Sequence, residues 1–335
     1  MLHIDEKDPP PSVGFTFNLK RSKSEEEAEF DSIDTIEAIQ KSLEDNGYNV
    51  VLLEVDKQLP QKLLSNHLDI IFNIAEGANG RSREAQVPAL LDFFKLKFTG
   101  SDATTLCICL DKALCKNVLM PHGVVTPAFQ VVESADFVLD KKIKFPVIVK
   151  PNAEGSSKGI SSVSVVESKK QLKNLVETML SDAPQALLVE EYIKGREFTV
   201  GVLGNGSDAY ALRPMEIEFV NAPQNTVYDY SVKQDYESKV KYVCPANISA
   251  KVEKMIMDTS VKIYNILGCR DISRIDFRLT DKNELYFIEI NPLPGLAPGY
   301  SDMPMLAEKN GISYDSLVNM VLSAAIKRYS EKEAK

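Results

Sequence analysis

Asp276, Glu289 and Asn291 are three oxygen ligands for a hard cation, and they lie close together in the stretch RIDFRLTDKNELYFIEIN from Arg274 to Asn291. Two runs of alternating apolar and polar residues, 272–279 and 285–291, flank a polar Asp281-Lys282-Asn283 turn and predict a β-hairpin. With Lys282-Asn283 as its loop, Asp276 falls opposite Glu289, and Glu289 and Asn291, two residues apart, project to one face. Facing carboxylates repel and weaken a hairpin. A bound cation reverses that sign. Two carboxylates and an amide oxygen suit Mg²⁺, with Mn²⁺ as the alternative; Mg²⁺ keeps several waters and shares itself with substrate phosphates. An arbitrary pair of acids is more often a solvated face. Here Ile275, Phe277, Ile288 and Ile290 are expected to fill the opposite face and a turn at 292–295 follows at once, which favours the metal reading.

A second set of residues has the chemistry of a phosphate site. The loop EGSSKG, residues 154–159, offers backbone N–H groups, and its glycines would let the chain close over a phosphate. By itself it reads as a hairpin turn, but Lys150 stands beside it at the end of a very apolar strand. A lysine there needs an anionic partner or an exit to solvent, and a nucleotide phosphate would be such a partner. Glu190, Glu191 and Ile193 mark a strand end whose backbone would pair with a base edge, and Glu197 would accept hydrogen bonds from ribose hydroxyls. As a set, these features indicate a nucleoside-triphosphate–Mg²⁺ site. No G-x-x-x-x-G-K-[ST] loop occurs, and no GxGxxG follows the first strand, which argues against a P-loop and a dinucleotide-dependent oxidoreductase. His3, His67 and His122 lack metal-ligand spacing, so a Ser-His-Asp or Cys-His engine has little to build on.

The elements that must position these residues divide the chain in three. Residues 1–103 alternate strand and helix signals: strands over 13–19, 49–55 and 68–74 and near Phe98, and helices over 31–46 and 88–94. This predicts a small open α/β sheet, whose strand ends are where ligands bind. The loop AEGANGRSREAQ after the third strand carries Glu76, Arg81, Arg83 and Glu84 and is read equally as a solvated loop or a substrate loop. The charged run RSKSEEEAE, residues 21–29, reads as a mobile loop or fraying helix end with no function that charge alone specifies. Residues 104–186 carry a helix containing Asp111-Lys112, strands over 145–149 and 162–166, and a helix whose capping box is Ser168 and Gln171. Residues 187–335 start with a strand at 186–189 and continue to an amphipathic helix over 250–267, the hairpin and a terminal helix over 314–327.

At 335 residues, 44% apolar and 26% charged, the composition is that of an ordinary globular protein of two or three domains. The net charge of −9 argues against a nucleic-acid partner. Five cysteines without a CxxC pair fit a reducing cytoplasm, and neither a signal peptide nor a membrane span is evident.

The segments FPVIVKPNAEGSSKGIS, LVEEYIKGREFTVGVL, SRIDFRL and FIEINPLPG, in this order and spacing, resemble the ATP-grasp superfamily, and within it the D-alanine–D-alanine ligases, from about residue 72 to 327. The resemblance implies a three-domain α/β (α+β) fold in which two antiparallel-sheet lobes hold ATP. It places Lys112 and Lys150 on the phosphates under a loop containing Ser156 and Ser157. Adenine would lie at Glu190, Glu191 and Ile193, and ribose at Glu197. It puts Mg²⁺ on Asp276, Glu289 and Asn291, likens residues 228–233 to a mobile loop whose lysine, Lys233, reaches the γ-phosphate, gives Arg274 the reacting centre, and sets Gly295 and Ser301 at the second substrate's carboxylate.

The implied reaction is amide formation through an acyl phosphate, with small-molecule carboxylate and amine substrates; a homodimer is also a property of that family. The first-substrate side departs from the pattern. The family's His-Gly and Gly-Glu-Asp-Gly are replaced by Glu76-Gly77 and Gly80-Arg81-Ser82-Arg83, and its Ser-x-Glu-x-x-Val-Ser by KRSKSEEEAEFDS. The arginines favour an extra anionic group on that substrate, or none of the expected amine. The second-substrate turn, Gly295 to Ser301, is one residue longer. The expectation is a carboxylate–amine ligase whose substrates are not two D-alanines. A true D-alanine–D-alanine ligase and an ATP-binding regulatory protein without turnover remain the alternatives.

Overall fold

The computed structural model describes residues 10–22, 24, 27–154, 165–183, 185–219 and 240–333. Its first sheet is parallel, with β1 (Ser12–Phe17) between β2 (Asn49–Glu54) and β3 (Ile70–Asn73). The expected strand near Phe98 is a single bridge to Ile71. Helix α1 (Ile33–Asp45) starts where the Ser32 hydroxyl accepts the Thr35 N–H and stops before Gly47, whose φ of 85° suits glycine. It buries Ile36, Ile39 and Leu43; Ile33, on the same helical spacing, stays exposed. Helices α2 (Leu59–Ser65) and α3 (Gln86–Phe93) complete this part of the chain.

Asp111 is the point where the expected single helix breaks. Its carboxylate accepts the Leu114 N–H and caps α5 (Lys112–Leu119), which follows α4 (Ala103–Leu110) after one extended residue. The second sheet is antiparallel in the order β4 (Phe129–Val132), β7 (Leu187–Glu191), β5 (Val147–Pro151), β6 (Val165–Val166), covered by α6 (Lys169–Asp182). The expected boundary at 186/187 assigns β7 to the last segment, yet β7 pairs with both β4 and β5 inside this sheet. A short apolar run shows where a strand is and not which neighbours it joins. The segment also does not hold its first two helices: Cys109, Cys115 and Leu119 pack into the core under the third sheet.

The third sheet runs β11 (Val240–Val243), β10 (Met215–Phe219), β8 (Arg196–Gly204), β12 (Asp271–Leu279), β13 (Leu285–Asn291), with β9 (Tyr210–Ala211) on β8. Helix α7 (Ala250–Ile266) covers one face, burying Ile256, Ile263 and Tyr264 against Phe198, Ile275 and Phe277. Helix α8 (Asp302–Lys309) precedes α9 (Tyr314–Glu333), six residues longer than the periodicity indicated. Leu317, Val318 and Leu322 of α9 share one core with Ile36, Ile39 and Phe15, so the last helix completes the packing of the first sheet.

A buried ion pair holds that junction. Arg328 of α9 meets Asp271 at 2.8 Å, and Asp271 also accepts from the Gly100 N–H at 2.8 Å and the Asn205 amide at 2.7 Å. Arg328→Met is expected to cost about 3–5 kcal/mol in urea unfolding, because Asp271 would remain buried without its counter-charge. A loss below about 1 kcal/mol would show that water replaces the guanidinium there.

Candidate active site

A cavity of about 380 Å³ opens where the three sheets meet, and one of its walls is the β12–β13 hairpin. Asp276 stands opposite Glu289 and Arg274 opposite Asn291, so the four side chains occupy one face. The pairing of Asp276 with Glu289 is the expected one, reached differently. Near the turn Leu279 pairs with Leu285, one residue out of the expected register, and a bulge at Ile288 restores it. The bulge also turns Ile288 away from the core. It lines the cavity, whereas Ile275 and Phe277 are buried on the far face as their alternation predicts, together with Ile290, which packs in the same core and also touches the cavity.

Two carboxylates and the Asn291 carboxamide, all bordering the cavity, form a hard-oxygen set that fits Mg²⁺ with waters or phosphate oxygens completing its shell. Cations already flank them: Lys112 lies 3.5 Å from Glu289, and Arg274 is 2.9 Å from Asp276 and 3.3 Å from Asp302. Burial works against the Arg274 charge, but these carboxylates outweigh it and hold the guanidinium firmly protonated.

The facing wall carries lysines. The Lys112 ammonium donates to the Glu154 carbonyl at 2.6 Å, at the mouth of the 154–159 loop. Asn152 sets this geometry: its side-chain oxygen accepts the Ala113 N–H, its amide donates to Asp111, and its carbonyl accepts the Lys112 N–H. Lys150 does have an anionic partner, but that partner is protein: Glu190, at 2.6 Å. The other Glu190 oxygen is 3.1 Å from Lys116, a fully buried lysine that also donates to Thr126 and to the Ile288 carbonyl. Burial raises the Glu190 pKa, yet both ammonium groups overcome it and the net shift is downward. Burial pulls the Lys116 ammonium down, and Glu190 offsets only part of that.

The sequence reading placed Glu190 at a base. Its carboxylate is engaged with the lysines and its backbone lies inside the β4–β7–β5 ladder, so Glu190 holds the lysines in place. Glu191 and Ile193 border the cavity, and a Glu191 oxygen accepts the Lys144 N–H. Glu197 also borders it and is held at 2.6 Å by Arg278, which leans on Tyr192.

At the opposite end the cavity is acidic, and here the expectation of anion-seeking arginines is overturned. Arg81 is 72% exposed and pairs with Asp111. Arg83 is buried and fully engaged: Glu29 accepts two hydrogen bonds of 3.0 Å, and Glu154 and the Ala153 carbonyl lie at 3.3 and 3.2 Å. Neither guanidinium borders the cavity; Glu29, Asp31, Glu76 and Glu84 do. Glu29 ends the charged run that had no assigned function, and its partner lies 54 residues away. Gly77 keeps the loop closed. Its φ is 76° and its N–H donates to the Asn18 side chain, and a Cβ there would sit 2.0 Å from the Arg83 carbonyl.

Burial pushes the Glu84 carboxyl up to about 7, with Arg83 opposing and Glu29 adding to the rise. Burial likewise lifts Asp31 to about 7, and burial with Glu84, Glu29 and Asp31 as neighbours lifts Glu76. A carboxyl whose pKa is higher folded than unfolded favours folding at low pH. That contribution disappears as pH climbs from its ordinary 4.5 to about 7. The ligand-free protein is therefore expected to lose thermal stability between about pH 5 and 8. Glu84→Gln should flatten the slope in calorimetry; an unchanged slope would remove Glu84 as its source.

At the remaining corner, the Ser301 hydroxyl accepts the Ala297 N–H and closes the turn from Gly295, where a Cβ would stand 2.8 Å from that hydroxyl. Both residues border the cavity. Ser156, Ser157 and Lys233 lie outside the described residues. Asn152, Lys116 and Glu29 are site residues that the sequence reading missed; only Asn152, next to Lys150-Pro151, carried a local signal.

Residues 118–323 match the family described as D-ala D-ala ligase C-terminus. The D-alanine–D-alanine ligase of Erythrobacter litoralis is 32% identical over 305 residues, covering 88% of this chain and 89% of the relative. That of Aquifex aeolicus is 32% identical over 293 residues, with 87% and 94% covered. Among solved structures, the D-alanine–D-alanine ligase of Bacillus anthracis complexed with ATP superposes with a TM-score of 0.77 at 22% identity, over 97% of this chain and all of that one. Two antiparallel sheets beside a small parallel one, with the cavity where they meet, are the ATP-grasp architecture. The chain belongs to the D-alanine–D-alanine ligase family.

Proposed function

We propose that this protein is an ATP- and Mg²⁺-dependent carboxylate–amine ligase that joins an amino acid or short peptide to an amino acid through an acyl phosphate. The observation that carries the proposal is the hairpin face of Arg274, Asp276, Glu289 and Asn291, set in one cavity with Lys112 and Lys150. The relatives' names support the reaction class, and the acidic end supports an amine on the first substrate.

A carboxylate is a poor acyl donor. In the proposed reaction it attacks the γ-phosphorus of ATP, ADP leaves, and the amine of the second substrate attacks the resulting acyl phosphate. Phosphate then departs as the amide forms. Lys112 and Lys150 hold phosphate oxygens, and Asp276, Glu289 and Asn291 hold the ion. When bound, Mg²⁺ supplies positive charge to the phosphates during transfer. Arg274, kept protonated by Asp276 and Asp302, stabilises the oxyanion of the tetrahedral intermediate. Glu191, Ile193 and Glu197 border the nucleoside end, and the turn from Gly295 to Ser301 faces the second substrate's carboxylate. Ser156, Ser157 and Lys233, outside the described residues, are assigned to the phosphates in this reading.

Three domains, a homodimer and a cytoplasmic location belong to the same reading. The free thiols of all five cysteines support a reducing compartment, and among the described residues no helix is long and apolar enough to cross a membrane.

The test is ADP release with Mg·ATP across pairs of D- and L-amino acids and dipeptides, with Glu289→Gln as control. Release with D-alanine alone would make this a D-alanine–D-alanine ligase with an altered first subsite. Release with another pair would identify the substrates. ATP binding with no release from any pair would revive the regulatory reading.

A further inference from the structure

The acidic end of the cavity has more negative charge than one amino acid's ammonium neutralises. Glu76, Glu84 and Asp31 border it, and among the described residues none of their carboxyl groups has a hydrogen bond or ion pair. Glu84 is only 6% exposed. Glu29 is discounted, because Arg83 takes both its oxygens. Arg83 is likewise spent on Glu29, Glu154 and the Ala153 carbonyl. Lys20 also borders this end, and its charge partly opposes the rise of the Asp31 pKa. An unpaired buried carboxylate is costly and holds a proton until a cation arrives. These three do not form a metal site: among the described residues no group of three or more acidic, histidine or cysteine side chains is arranged to hold an ion. Their positions are graded. Glu84 feels the Lys112 ammonium, which lies next to Glu289, while Glu76 feels Glu84 and Asp31.

We infer that the first substrate is a diamino acid, its α-ammonium meeting Glu84 beside the phosphoryl-transfer centre and a second, side-chain ammonium meeting Glu76 and Asp31. The inference rests on the ligase reading and names the substrate class of that site. An uncharged side chain would leave Glu76 without a cation and Asp31 with Lys20 alone; an acidic one would be repelled.

The test is calorimetric titration of the full chain, with and without Mg·AMPPNP, using both enantiomers of ornithine and of its neutral isostere norvaline at pH 6, where Glu84 and Asp31 still hold their protons. One ornithine enantiomer is expected to bind at least about tenfold more tightly than either norvaline. Its binding heat should vary with the buffer's ionisation enthalpy, because the carboxyl groups release protons. Glu76→Gln should bring the ornithine-to-norvaline ratio below about threefold, and Glu84→Gln should weaken both ligands. Equal affinities, preference for norvaline, no binding of either, or a ratio untouched by Glu76→Gln would overturn the inference. Failure to bind Mg·AMPPNP would instead sink the ligase reading, and the nucleotide-free titration would still report on the acidic end.

Discussion

Glu289→Gln is expected to lower ADP release with saturating substrates by about 10²–10³-fold, the effect of losing several kcal/mol of charge stabilisation in the transition state. Glutamine keeps the shape and the oxygen that faces Lys112 but removes the charge. One hard ligand would then be neutral, and Asp276 alone would supply negative charge to the ion from the hairpin. Because the residue is 34% exposed and its backbone pairing with Asp276 is unaffected, the melting temperature should stay close to that of the wild type. The Mg²⁺ concentration for half-maximal rate should rise, and raising Mg²⁺ should recover part of the loss. Magnesium-dependent steady-state rates and a thermal melt read both halves. Wild-type turnover at wild-type Mg²⁺ would remove Glu289 from the metal site.

The hairpin was legible because its information is local. Alternation over 272–279 and 285–291 is enough to put Asp276 and Glu289 on one face, and the residues between them were close enough in sequence to estimate a register. The estimate even absorbed an error, since the bulge at Ile288 offsets the tighter pairing near the turn. What alternation does not encode is the bulge's consequence. An extra residue in β13 sends Ile288 to the cavity and frees its carbonyl for Lys116.

The rest of the site was hidden by distance along the chain. Glu29 sits in a charged run with no periodicity, and nothing nearby marks it as the counter-charge of Arg83. Arg81 and Arg83 look alike in sequence, yet one is solvated on Asp111 and the other buried between carboxylates, a difference made by Gly77 and the three-residue helical turn over 83–85. The substrate-loop reading was therefore inverted in sign. Counting arginines suggested an anion site, whereas the carboxylates that remain after internal pairing suit a cation. β7 failed in another way: the strand expected at 186–189 is there, but its place between β4 and β5 is set by partners some 40 to 60 residues upstream.

Glu190→Gln should destabilise the fold by about 3–5 kcal/mol, the cost of removing one partner from a buried ionic group. Both carboxylate oxygens are used, one at 2.6 Å from Lys150 and the other at 3.1 Å from Lys116, so the substitution leaves the fully buried Lys116 without its carboxylate and Lys150 with only the more distant Glu289 and Glu197. Burial already pulls the Lys116 pKa down, and without Glu190 it should fall further. A lysine with a lower pKa folded than unfolded binds its proton less tightly in the folded state, so stability rises as pH climbs toward the ordinary value of 10.5. The variant should therefore recover part of its loss between pH 7 and 10, with a steeper rise than the wild type, in urea unfolding. Lys116→Met combined with Glu190→Gln should be more stable than Glu190→Gln alone, because only Lys150 then remains charged and it borders the cavity. ATP affinity should stay weakened in both, since Lys150 has lost the carboxylate that aims it. A double variant less stable than the single one would mean that the contacts of Lys116 with Thr126 and the Ile288 carbonyl, and not its charge, hold β13 against α5.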